Sequence, residues 1–129
     1  MPSDPRNFRF PGEFRIKSTL DFERYFKEAQ VKAGKYLVLR YIIDKENITR
    51  LGLSITKRGR NSVKVNRLKR LAREVFRINR NKIIPHLQLI VSFRKQLPAE
   101  VKFEELEKDF LNLLKLLNLL EIHHEKFIG

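Results

Sequence analysis

The sequence predicts a single mixed α/β domain, and three observations point to it. Lys35–Ile43, Arg50–Thr56 and Leu87–Phe93 have the β-branched, aromatic or alternating apolar content of strands. Between the last two lies a basic run, to about Asn79, whose apolar residues recur at helical spacing. A second helical pattern precedes the first strand and a third follows the last. A chain of 129 residues, 42% hydrophobic and with ten phenylalanines, suits one domain with a modest core.

Met1–Lys17 holds three of the five prolines and interleaves Arg with Phe. Proline fixes φ and removes a donor, so this stretch is expected to be extended. Ser18 is a candidate N-cap, with Asp21 placed to favour the positive end of the helix dipole. Phe22, Tyr25, Phe26 and Ala29 then fall on one face of a short helix. Gly34 is expected in the turn that follows. The first two strands are candidates for a hairpin across the polar turn Asp44–Asn47, and the division of Tyr36–Ile48 leaves room for a further strand. In Arg50–Thr56, Leu51, Leu53 and Ile55 alternate inward.

The basic helix is expected to be capped by Asn61 or Ser62 and to run to about Asn79. Pro85 lies beyond its end, and Leu87, Leu89, Val91 and Phe93 alternate in the last strand. After Pro98 a long helix is expected to carry Phe103, Leu106, Phe110, Leu113, Leu117 and Leu120 on one stripe, with Glu100, Glu104, Glu105 and Glu107 near its start. Leu111, Leu116 and Leu119 fall off that stripe. They are expected to cover a sheet edge or neighbouring segments, with self-association as the alternative.

Charge is concentrated. Thr56–Lys82 holds eleven Lys or Arg against the single acid Glu74, a net +10 out of +13 for the whole chain. At 100° per residue Leu68, Leu71, Ala72, Val75 and Phe76 form one apolar arc. Asn66, Lys69, Arg70, Arg73, Arg77 and Arg80 gather opposite, while Arg67 lies near the other margin of the arc. Like charges three and four apart repel by about 0.2–0.5 kcal/mol per pair. A solvated face normally mixes signs, so a polyanion is the expected partner, and guanidinium forks match phosphate oxygens. A membrane surface is disfavoured because the apolar face is committed to a core.

Other chemistry is thinly represented. There is no cysteine, hence no disulfide, thiolate zinc site or Cys nucleophile. His86, His123 and His124 have no metal-site spacing, and no glycine-rich phosphate loop is present. The acids cluster on the last helix, so a nuclease centre built from protein side chains is poorly supported. The absence of a long apolar window or secretory segment leads to the expectation of a soluble cytoplasmic protein.

The run NSVKVNRLKRLAREVF after LGLSITKR resembles the signature of the bacterial ribonuclease P protein subunit. Asn66, Arg67, Lys69, Arg70 and Arg73 match its basic motif, and Lys57 and Arg58 match the loop before it. Val65 stands where the motif begins with Arg, and Arg60 where Gly is common. FRIKSTLDFERYFKEA also resembles the family's first helical segment, and the likeness covers about Phe14 to Leu117. The domain is accordingly expected at 14–120, between a flexible arm (1–13) and a tail (121–129).

That resemblance implies a two-layer sandwich in the order αβββαβα, with a four-stranded sheet and a left-handed βαβ crossover, against the usual hand. It implies a subunit that assists tRNA 5′ maturation while the catalytic RNA, holding most of the Mg²⁺, performs the hydrolysis. Lys57, Arg58, Arg60, Asn66, Arg67, Lys69, Arg70, Arg73 and Arg77 would then face the catalytic RNA. Phe22, Phe26, Tyr36 and Arg40 would line a cleft for the single-stranded 5′ leader of precursor tRNA. Periodicity alone reads Phe22 and Phe26 equally as core. A non-catalytic RNA-binding protein, such as a ribosomal protein, is the alternative, and a DNA-binding architectural protein comes third.

Overall fold

The computed structural model describes residues 11–57 and 59–121. A short 3-10 turn at Gly12–Phe14 precedes α1 (Thr19–Glu28), β1 (Gln30–Ala33), β2 (Leu37–Ile43) and β3 (Arg50–Leu53). Then come α2 (Ser62–Asn79), β4 (Leu87–Phe93) and α3 (Phe103–Leu116), which gives the order αβββαβα. Both predicted caps form. Ser18 Oγ accepts the Asp21 N–H at 3.2 Å, and Asn61 Oδ1 accepts the Lys64 N–H at 2.8 Å.

The sheet order is β1-β2-β4-β3, with β2 antiparallel to both neighbours and β3 parallel to β4. The hairpin is therefore β1–β2, not the expected pairing of β2 with β3. Six of the seven residues of β4 are buried, so this strand takes a central place and separates β2 from β3. A parallel neighbour needs a long crossover, and α2 supplies it. The further strand is Gln30–Ala33 rather than a division of 36–48.

One face of the sheet carries Leu37, Leu39, Leu51, Leu87, Leu89, Val91 and Phe93. Leu68, Ala72, Val75 and Phe76 of α2 and Leu106, Phe110, Leu113 and Leu114 of α3 join them in the core. Truncating a fully buried side chain such as Phe76 to Ala costs about 3–5 kcal/mol. The last helix ends at Leu116 rather than Leu120, because Asn118 turns to φ 59° and the Leu119 N–H reaches back to the Leu114 carbonyl at 2.9 Å. Leu119 is thereby buried and Leu111 packs against the core, which leaves only Leu116 of the surplus leucines exposed (71%).

Asp109 ties α3 to the entrance of β2. Its carboxylate accepts the N–H groups of Lys35, Tyr36 and Leu37 at 2.8, 2.8 and 2.9 Å. A Cβ on Gly34 would sit 2.6 Å from Asp109 Oδ1, so the close approach requires glycine.

The opposite face is crossed by α1. Tyr25 is buried there, and its hydroxyl donates to Asp44, which also binds the Arg24 guanidinium at 3.1 Å. The Tyr25 hydroxyl, then the Glu46 N–H, holds the Asp44 carboxyl down at about 2. Burial first, and the Asp44 bond second, push Tyr25 up to about 12. Among the described residues, no helix is long and apolar enough to cross a membrane.

Candidate nucleic-acid interface

The wheel drawn from the sequence reproduces the burial of α2. Leu68, Ala72, Val75 and Phe76 are buried, Leu71 is half-buried, and Asn66, Arg70 and Arg77 are exposed. Val65, which replaces the motif's first Arg, is 2% exposed and acts in packing. Asn61 accepts one of the free N–H groups at the start of α2, that of Lys64, while the basic residues follow along the outer face.

Those basic residues do not all stand alike. Lys69 and Arg73 border a groove of about 190 Å³ with Arg15, Ile16, Phe22, Leu51, Gly52 and Leu53. Burial, reinforced by the charge of Arg15, lowers the Arg73 pKa below the usual arginine value. Arg73, Lys69 and Arg15 thus concentrate positive charge along this groove. Arg70 and Asn66 point to solvent beside them.

The other predicted cations are partly engaged within the protein. Arg67 donates to the Val101 carbonyl at 2.9 Å and lies 4.0 Å from Glu100, so it braces the approach to α3. Arg60 donates to the carbonyls of Thr56 and Arg94 at 3.3 and 2.7 Å. Arg77 grips Glu74 with two bonds of 3.0 and 2.6 Å, which raises its own pKa and lowers that of Glu74. Lys57 is exposed in the loop before α2; Arg58, His123 and His124 lie outside the described residues.

The α1 face of the sheet supplies the second half of the site. Val31, Arg40, Ile90 and Gly52 stand in register, one from each strand across the sheet. A Cβ on Gly52 would meet the Phe22 ring at 2.8 Å, so the glycine admits that ring onto the sheet. Phe22 and Phe26 stack with centroids 6.3 Å apart and planes 19° from parallel. Arg40 sits over Phe26 at 4.0 Å from its centroid. Phe26 is 38% exposed and Val31 53%, which leaves an open, partly aromatic surface. Tyr36 lies elsewhere: it is buried in the core cluster, where Asp109 holds its N–H.

Sequence reasoning assigned no role to Arg15 or Gly52. The Ile16 N–H bonds the Leu51 carbonyl at 3.1 Å, so the segment before α1 runs along the β3 edge and brings Arg15 to Arg73. Its one sequence signal is the alternation of Phe14, Arg15 and Ile16. Arg80 extends the α2 face by stacking over Phe14 at 3.7 Å.

The family model described as Ribonuclease P matches residues 10–118. The ribonuclease P protein component of Natranaerobius thermophilus is 36% identical over 106 residues, spanning 82% of this chain and 91% of that protein. That of Bacillus pumilus is 37% identical over 103 residues, spanning 78% and 85%. Among solved structures, the Staphylococcus aureus RNase P protein aligns with a TM-score of 0.72 at 29% identity, covering 84% of this chain and 98% of that one. The Thermotoga maritima RNase P protein gives 0.71 at 30% identity, covering 79% and 96%. The match spans every helix and strand that builds the groove and the cleft, and the chain belongs to the ribonuclease P protein family.

Proposed function

We propose that the chain is the protein subunit of ribonuclease P, binding both the catalytic RNA and the 5′ leader of precursor tRNA during endonucleolytic maturation of tRNA 5′ ends. The observation that carries this reading is the shared groove: Lys69 and Arg73 of α2 border the same hollow as Phe22 of the α1 cleft. A phosphate-binding surface thus meets an aromatic surface suited to unpaired nucleotides. Lys57, Asn66, Lys69, Arg70 and Arg73 face the catalytic RNA, whose released counterions supply much of the binding free energy. Phe22, Phe26 and Arg40 receive the leader.

In this reading the RNA performs the hydrolysis and holds the Mg²⁺. The protein's contribution in this reading is binding and orientation. The test is reconstitution with a bacterial ribonuclease P RNA at low Mg²⁺, following cleavage of precursor tRNA. Faster cleavage with the protein than with RNA alone is expected. Unchanged cleavage would leave only a general RNA-binding role.

A further inference from the structure

We infer that Arg40 makes the cleft a phosphate-reading site, holding one backbone phosphate of the single-stranded leader instead of leaving Phe26 free to stack on a base. The inference rests on the cleft reading above and names the chemistry at its centre. Arg40 occupies the middle of the sheet row, paired with Val31 on one side and Ile90 on the other. Its guanidinium carbon lies 4.0 Å from the Phe26 centroid, held by attraction between the cation and the negative face of the ring. That ring face is therefore covered, and a base reaches it only by displacing the guanidinium.

The donors of Arg40 are a different matter. Five N–H bonds lie in the guanidinium plane, and stacking on a ring consumes none of them. Among the described residues, the Arg40 side chain makes no hydrogen bond or ion pair, only the ring contact with Phe26. The carboxylates that α1 meets are used otherwise: Asp44 by Tyr25 and Arg24, and Asp21 by Arg24 at 3.9 Å. A fixed, half-buried guanidinium with free in-plane donors suits a phosphodiester, which accepts two parallel bonds. Such a contact carries no base identity, so recognition at Arg40 is independent of leader sequence.

The experiment uses the reconstituted holoenzyme and measures affinity for leader-bearing precursor and for mature tRNA as salt is varied. Arg40→Gln is expected to reduce the salt slope by roughly 0.7 for the leader-bearing precursor, the value for one phosphate on a single strand. Mature tRNA is expected to show no change, and Arg40→Lys to keep the wild-type slope. Neutral methylphosphonate linkages, placed singly along the leader, supply the second arm. One linkage is expected to weaken wild-type binding and to add no loss to Arg40→Gln.

An unchanged slope in Arg40→Gln, or additive losses at every linkage, overturns the inference. So does Arg40→Phe binding as tightly as wild type with the same slope, since a phenyl ring offers a phosphate neither charge nor donor. If wild type itself binds leader-bearing and mature tRNA equally, the cleft reading falls and the role of Arg40 falls with it. Leader discrimination that survives with an unchanged Arg40→Gln slope removes only Arg40.

Discussion

Phe22 rests against Gly52, where a Cβ would approach its ring to 2.8 Å, and the same ring borders the hollow of Lys69 and Arg73. One aromatic side chain thus belongs to both the proposed leader cleft and the edge of the basic helix. Phe26 continues the stack away from α2. Phe26→Ala is expected to weaken leader-bearing precursor by roughly threefold or more, since the ring holds the Arg40 guanidinium through a cation–π contact of about 0.5–2 kcal/mol. Mature tRNA should be almost unaffected. Equal losses for the two ligands, measured by equilibrium binding, would restrict Phe26 to a packing role.

The exposed and groove-lining cations of α2 should separate from the braced ones. Arg70→Ala and Arg73→Ala are each expected to lower the salt slope of catalytic-RNA binding by roughly 0.7–0.9, with little change in melting temperature. Arg67→Ala removes the bond to the Val101 carbonyl, and its first effect should be a stability loss of about 1 kcal/mol. Binding isotherms over a salt series, with thermal melts of the same variants, decide this. A slope unaltered in Arg70→Ala and Arg73→Ala would remove that face from the interface.

Val65 is packed, so restoring the motif's arginine should not restore a contact. Val65→Arg places an unpaired cation where the valine is buried, and a destabilisation of about 2 kcal/mol or more is expected. Chemical denaturation measures it. A variant as stable as wild type that also binds catalytic RNA more tightly would show that the position opens to solvent.

The Tyr25–Asp44 bond should be visible in acid. The folded Asp44 pKa is depressed, to about 2 from an ordinary value of 3.8. Its contribution is therefore complete above about pH 4 and is lost as pH falls through the folded value. After solvent screening the contribution is on the order of 1 kcal/mol. Tyr25→Phe removes the principal cause and should flatten stability between roughly pH 4 and pH 2. An acid profile identical to wild type would assign that slope to other carboxylates.

Local chemistry was readable in the chain; strand partnership was not. Ser18 and Asn61 announced their helices by residue type, and Leu87–Phe93 was found at its observed bounds. Gln30–Ala33 gave little signal because it is only four residues long, with Val31 its single β-branched residue and no buried position. The wrong hairpin followed from sequence proximity, whereas β4 wins β2 through burial of a distant segment. The resemblance put Tyr36 in the cleft with Arg40, but Asp109, more than seventy residues away, holds the backbone there and the ring enters the core. The bracing of Arg60 by the Arg94 carbonyl just after β4, and of Arg67 by the Val101 carbonyl just before α3, is equally a tertiary matter.

The most direct measurement compares catalytic RNA alone with the reconstituted holoenzyme, at matched Mg²⁺, for binding leader-bearing precursor and mature tRNA. The groove joining Lys69 and Arg73 to Phe22 predicts that adding the protein tightens leader-bearing precursor selectively. Equal tightening of both ligands, or none, would contradict it.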